Sequence, residues 1–284
     1  MGKVRIVADS TSDIPAEVRE TLGISMVPLK VLFGEETYLD SITISAGQFY
    51  EKLKASPVLP TTSQPSPLEF SELYERLLDE DPEGPIISIH LASILSGTHQ
   101  SAVIAESMLE RDADITIVDS RSASYGIGLQ VVRAAEMAQA GESKERILEE
   151  IEKLRSDLGL YFLVDSLEFL QKGGRIGRAA ALIGSILNIK PILSLDDNGG
   201  VFSVDKVRGS KKAMGRIADM LKETFGSDPV HLVIASTDDL GQANELGDRV
   251  KSELNVQGVS YTTVGSVIGV HTGPGTSAVF VYRV

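Results

Sequence analysis

The 284-residue sequence has no cysteine and no tryptophan, and only four histidines. Without cysteine there is no disulfide, no thiolate metal site and no cysteine nucleophile, so chemistry must come from hydroxyls, carboxylates, imidazoles and backbone amides. Long apolar runs are also missing. The longest, "AAALIGSILNI" from Ala179 to Ile189, is too short to span a bilayer. The opening "MGKVRIVADS" has no apolar signal core, and Ile6 stands where a myristoylation signal needs Ser or Thr. A cytoplasmic protein without membrane insertion is expected. Positive charge is scarce as well: 27 basic against 40 acidic residues give a net charge of −13, which opposes nucleic-acid binding. No histidine has a ligand-spaced partner and no acidic run has EF-hand form, so no metal site is expected.

What is present is 42% apolar residues, enough for one large domain or two modest ones. Short β-branched runs alternate with helical patterns through the first half: "VRIVADS", a helix in "SDIPAEVRETLG", "SMVPLKVLFG" as one strand, helices in "SAGQFYEKLKAS" and "SPLEFSELYERLLDE", then "PIISIHL" and "ADITIVDS" each followed by a helix. That alternation predicts an α/β lobe with a mostly parallel sheet covered by helices on both faces. Beyond Gly159 the pattern changes. "LEFLQKGGRIGRAAALIGSILNI" reads as helix, glycine break, helix, and "KPILSLDDNGGVFSVDKVRG" as an antiparallel hairpin turning at Asn198 and Gly199. Two α/β lobes, residues 1–160 and 161–284, are expected to meet closely, the second with a mixed sheet and helices and with a ligand site between them.

Three loops fall where a strand ends and a helix begins: "ADSTSDIP", "LASILSGT" and "VDSRSASYG". Ligands collect at such places in open parallel sheets. Ser, Thr and Asp also cap helices, and for "STSDIP" the capping role of Ser12 or Asp13, with Pro15 opening the helix, is sufficient. In "LSGT" one cap leaves Ser96, Gly97 and Thr98 incompletely explained. "TTSQPSP" adds Thr61, Thr62 and Ser63 ahead of Pro65 in what reads as a rigid loop. Together the two stretches suit a carboxylate or phosphate oxygen at a helix amino end.

A serine hydrolase or acyl transferase using Ser96 and His271 is the alternative, although Ser96 is not set in Gly-x-Ser-x-Gly. His271 lies in "HTGPGT", read as a glycine-rich turn before the last strand. The basic clusters Lys172, Arg175, Arg178 and Lys206, Arg208, Lys211, Lys212 are either solvated faces or a docking patch for an acidic partner or a phosphate, with Arg175 and Arg208 facing that partner.

Taken in order, "VADSTSDIP", "PTTSQPSP", "ISIHLASILSGTHQSA", "VDSRSAS", "FLQKGGRI", "KPIL" and "HTGPGT" resemble the motifs of the DegV family of fatty-acid-binding proteins, also called FakB, along essentially the whole chain. "ASILSGT" differs from the more usual "SSKLSGT" only in small or hydrophobic replacements. The resemblance implies a two-lobed α/β carrier that holds one long-chain fatty acid, C16 to C18, in an internal tunnel. It implies no cofactor and no catalysis by the carrier, which presents the carboxylate to a separate ATP-dependent fatty-acid kinase and exchanges acyl phosphate for phospholipid synthesis. By motif, the carboxylate anchors are Thr62 and Ser96, with Ser63, Gly97 and His271 nearby, and Arg175 lies toward the kinase.

Overall fold

The β-branched runs of the first half become strands that bury both faces. The computed structural model describes residues 2–184, 189–238 and 240–284. In chain order the first half holds β1 (Arg5–Asp9), α1 (Ala16–Leu22), β2 (Ser25–Val27), β3 (Lys30–Phe33), β4 (Glu36–Leu39), α2 (Ala46–Ala55), β5 (Thr61–Ser63), α3 (Pro67–Glu80) and β6 (Ile86–His90). It continues with α4 (Thr98–Ser107), β7 (Ile115–Asp119), α5 (Tyr125–Gln139) and α6 (Lys144–Asp157). Four strands pair in parallel in the order β2-β1-β6-β7. Alternation sends Ile6, Ala8, Ile87 and Ile89 against Ile127 and Val131 of α5 and Ile147 of α6. Val7 and Ile86 face the other way, onto Phe70 and Tyr74 of α3 and Ala105 of α4. Each fully buried Ile, Val or Phe among them contributes about 1.5–3 kcal/mol of transfer free energy. Capping boxes at Ser45/Gln48 and Ser66/Glu69 fix where α2 and α3 start.

Several sequence expectations are corrected here. "SMVPLKVLFG" is two strands, because Pro28 has no N–H to give a ladder: β2 stays in the parallel sheet and β3 leaves it. β3 instead pairs antiparallel with β4 and β5, forming a three-stranded sheet that patterning did not announce. In "STSDIP" neither Ser12 nor Asp13 caps α1. Asp9 caps a 3-10 turn at Ser10–Ser12, Asp13 is left-handed at φ 51°, and Pro15 itself stands at the N-cap of α1 with no side-chain cap.

The second half holds β8 (Gly159–Leu163), α7 (Glu168–Lys172), β9 (Ile189–Leu195), β10 (Val201–Arg208), α8 (Ser210–Phe225), β11 (Pro229–Ser236), α9 (Leu240–Lys251), β12 (Asn255–Thr263), α10 (Ser266–Thr272) and β13 (Ser277–Arg283). Six strands form a mixed sheet in the order β10-β9-β8-β13-β11-β12, of which only β11 and β12 run parallel. One face, with Leu232, Ile234, Val279 and Val281, is covered by α8 and α9. The opposite face, with Phe162, Leu193, Ala278 and Phe280, turns toward Tyr125 and Leu129 of α5 in the first lobe. The expected hairpin is present, with Gly199 at φ 82° while Asn198 keeps a negative φ. The helix expected after the glycine break is a 3-10 segment over Gly177–Leu182. The part of that expectation falling on residues 185–188 lies outside the described residues.

Candidate functional site

The face of the mixed sheet that looks toward the first lobe leaves a cavity of about 920 Å³ including its mouth. Its walls are mainly apolar, among them Leu160, Phe162, Leu195, Val201, Ala278 and Phe280. Ala278 and Phe280 alternate along β13, with Thr276 just before it, so this strand and its approach supply one continuous wall. The polar residues of the lining include Thr62, Gln64, Ser96, Arg175 and His271, drawn from four separate stretches of the motif pattern, Thr62 and Gln64 sharing one.

Each is placed by its local backbone. Thr62 is the middle residue of β5, opposite Val31. The period of two turns Thr62 inward and leaves Thr61 and Ser63 exposed, and the Ser63 hydroxyl donates to the carbonyl of Gln64 at 3.3 Å. Ser96 ends the turn after β6. Its Oγ shares a hydrogen bond with Thr98 Oγ1 at 2.9 Å and accepts one from the Thr98 amide at 3.3 Å. Gly97 is the N-cap of α4 and carries the Gln64 side chain against it, for a Cβ there would lie 2.5 Å from Gln64 Nε2. Arg175 donates from Nε to the Leu95 carbonyl at 3.0 Å and from Nη1 to the Gly173 carbonyl at 2.7 Å, tying the Ser96 turn to the end of α7. Arg208 is exposed at the far end of β10 from Val201, about 23 Å along the strand, and is not part of the cavity lining.

His271 corrects the sequence reading. It sits in the last turn of α10, not in a glycine-rich turn; the left-handed Gly273 and Gly275 come just after it. Its Nε2 meets Thr62 Oγ1 at 2.9 Å, while its buried Nδ1 has no hydrogen-bond partner among the described residues and lies against Gly173. Burial, with the neighbouring Arg175 guanidinium, lowers the imidazole to about 4, so the ring is neutral near pH 7. A neutral ring with a proton on Nε2 donates to Thr62, leaving the Thr62 hydroxyl proton free for an acceptor in the cavity.

Thr62, Arg175 and His271 also line a second space, about 640 Å³ including its opening to solvent, together with Leu59, Phe169 and Lys172. The polar group therefore stands in a wall between an apolar chamber and a cleft. Of the basic clusters, Lys172 pairs with Glu168, and Arg178 pairs with Asp196 at 2.9 Å and lies over the Phe202 ring.

Sequence reasoning missed a second Ser–His–Asp arrangement. Asp9 Oδ2 meets His90 Nδ1 at 3.1 Å, His90 Nε2 meets Ser88 Oγ at 2.7 Å, and Tyr74 donates to Ser88 at 2.8 Å. Asp9, Ser88, His90 and Tyr74 have zero exposure and none lines the cavity, so this relay is sealed from any substrate. The signal was available in "IISIH", where Ser88 and His90 alternate onto one face. Among the described residues no helix is long and apolar enough to cross a membrane, and no three His, Asp or Glu side chains are grouped to hold a metal.

Fold and cavity thus define a two-lobed α/β protein with an apolar chamber that is polar at one end. The sequence profile of the DegV family, described as uncharacterised proteins, matches residues 3–284, and the chain belongs to that family. A DegV domain-containing protein of Caldanaerobacter subterraneus is 40% identical over 99% of both chains. Among solved structures, a fatty-acid-binding DegV family protein of Thermus thermophilus is 37% identical, with a TM-score of 0.91 over 99% of this chain and 100% of its own. DegV of Bacillus subtilis, described as a fatty acid binding protein, is 35% identical with a TM-score of 0.88 over the full length of both. A stearic-acid-binding protein of Eubacterium ventriosum is 27% identical with a TM-score of 0.90, covering all of this chain and 98% of its own.

Proposed function

We propose that this chain is a cytoplasmic carrier holding one long-chain fatty acid, C16 to C18, with its carboxylate at Thr62 and Ser96 and its acyl chain in the apolar chamber. The observation that carries this reading is the chamber itself: apolar along its length and supplied with hydroxyls, an imidazole and a guanidinium at one end. An ionised carboxylate leaving water needs several charge-assisted hydrogen bonds, each worth about 1.5–3 kcal/mol net. Thr62, Ser96, the amides opening α4 and the nearby Arg175 are suited to provide them. About fourteen buried methylenes give roughly 11 kcal/mol gross against an association cost of about 4–15 kcal/mol, so a preformed chamber is required for tight binding. The related fatty-acid-binding proteins of Thermus and Eubacterium support the same ligand class.

In this reading the carrier performs no chemistry. A carboxylate at the wall formed by Thr62, Arg175 and His271 is approached through the second cleft, where Lys172 and Arg175 favour an incoming phosphate. A separate ATP-dependent kinase then forms the acyl phosphate that enters phospholipid synthesis, with Arg208 as a second contact for an acidic partner. The hydrolase alternative is disfavoured because the Ser96 hydroxyl is engaged by Thr98 and His271 Nε2 by Thr62, in place of a serine–histidine pair.

The test is denaturing extraction of the purified protein and mass spectrometry of what is released. About one equivalent of a C16 to C18 acid per chain is expected, and Ser96→Ala should lower palmitate affinity without removing any ester turnover. A lipid-free protein that also refuses added palmitate, or ester hydrolysis lost with Ser96, sinks the reading.

A further inference from the structure

Three polar side chains from separate segments of the first half converge on α10, and none lines the cavity. Asp13 reaches across from the turn before α1. Its carboxylate accepts from the Ser124 hydroxyl and from the Gly265 amide, and its carbonyl accepts from Thr262 Oγ1 at 2.8 Å. Asp40, 1% exposed, lies beside Ser10 and Ser266, with neither carboxylate oxygen in a hydrogen bond among the described residues. Tyr50, 3% exposed, donates to the Val264 carbonyl at 2.9 Å.

The fit leaves little slack. A Cβ on Gly265 would lie 2.4 Å from Asp13 Oδ1 and 3.9 Å from Asp40 Oδ1, and a Cβ on Gly269 would lie 2.4 Å from the Tyr50 hydroxyl. Both glycines therefore let the first-lobe side chains approach the helix backbone directly. Asp13 itself is held left-handed at φ 51°, and its partner Ser124, which does line the cavity, is at φ 52° and ψ −141°. Two strained residues bonded to each other are maintained only where surrounding structure requires them. Val267 and Val270 of the same helix pack among Leu29, Phe49 and Tyr50. His271 is five residues on from Ser266, about 7.5 Å along the axis. A two-turn helix has no stiffness of its own to set that ring.

We infer that Asp13 and Tyr50 are positioning residues for carboxylate recognition: with Asp40 packed beside them, they fix the height and rotation of α10 and so hold the His271 ring against Thr62 at the polar end of the cavity. The inference rests on the fatty-acid reading above, and it deepens that reading by assigning the anchor's geometry to residues that do not touch the ligand.

The test compares palmitate with hexadecanol, the same chain without a carboxylate, on the lipid-stripped full-length protein. Tyr50→Phe keeps the ring and removes only the hydroxyl. Asp13→Asn keeps an acceptor for the Gly265 amide and a polar contact for Ser124, whereas Asp13→Ala removes both. Tyr50→Phe and Asp13→Ala should weaken palmitate roughly tenfold, the loss of about one hydrogen bond's worth of placement, and leave hexadecanol within about twofold. Asp13→Asn should restore palmitate binding. In a His271→Ala background Tyr50→Phe should cost nothing further, since its effect runs through that ring. Equal losses for both ligands, or additive losses in the His271→Ala background, overturn the inference and leave these residues as general scaffold. Wild-type protein that binds neither ligand overturns the fatty-acid reading, and this inference with it. Without any ligand, Tyr50→Phe should shift the ¹⁵N signals of the His271 ring; unchanged signals count against the inference.

Discussion

His271 and Asp40 pull the pH dependence of stability in opposite directions. Burial, assisted by Arg175, holds the folded imidazole at about 4, below its ordinary value of 6.5. Between those values the unfolded chain binds the proton and the folded chain does not, so stability falls as pH drops from 6.5 toward 4, by on the order of 3 kcal/mol. His271→Gln should flatten that acid limb in denaturant titrations at stepped pH, and an unchanged limb would mean that the ring titrates normally. Asp40 is displaced the other way, up to about 6 from 3.8, because burial disfavours its charge. Its contribution is present below pH 3.8 and is lost as pH rises through 6. Asp40→Asn, neutral at every pH, should therefore gain on the order of 3 kcal/mol over wild type above pH 6 and almost nothing at pH 3.5. A gain independent of pH would place the effect in packing. Neither group's environment was legible in the sequence. Asp40 acquires it beside Ser266, and His271 beside Thr62, each across more than two hundred residues of chain.

At the scale of elements, the strands and long helices could be read because their periodicity is local. The helix expected in "SPLEFSELYERLLDE" is α3, opened by its Ser66 cap. What escaped was decided by neighbours. Three residues of "TTSQP" become β5 only because β3 offers an edge, and that pairing sends Thr62 inward and Ser63 outward. "GVHT" is helical because Gly269 packs on Phe49 and Tyr50, which no propensity reports. Close approach also makes two glycines near the site unequal. Gly173 has an ordinary φ of −74°, so alanine there strains no backbone, yet its Cβ would fall 2.3 Å from His271 Nδ1 and 3.0 Å from the Phe169 carbonyl. At Gly97 the clash is with the end of the Gln64 side chain, which can swing away. Gly173→Ala should therefore lower palmitate affinity by roughly tenfold or more through displacement of the ring, by about the worth of one hydrogen bond. Gly97→Ala should change it by less than about threefold, a side-chain rearrangement's worth. Titrations on both variants decide it, and equal effects would show that the imidazole's seat is not what matters.

At the scale of the whole molecule, the chamber takes walls from both lobes: Leu91, Ala123 and Ser124 from the first, Phe162, Leu195 and Phe280 from the second. The sequence announced the two-lobed α/β fold and singled out Thr62, Ser96 and His271, which line the chamber, but not the shape of the chamber, which depends on how one sheet face meets α5 and α10. A ligand filling it contacts both lobes at once, so its binding free energy should stabilise them together. For a ligand that binds only the folded chain, an excess of 100 times Kd adds about 2.7 kcal/mol, or roughly 4–5 °C in Tm for a chain of this size. Hydrogen exchange should then slow in β5 and α4 of the first lobe and in β13 and α10 of the second over the same range of palmitate concentration. Thr62→Ala and Ser96→Ala should move that range to higher palmitate while leaving the ligand-free Tm within about 2 °C, since each removes one hydroxyl at the cavity wall. Protection confined to one lobe, or arriving in two steps at different palmitate concentrations, would mean that the acid occupies only one side of the chamber and that the lobes respond to it independently.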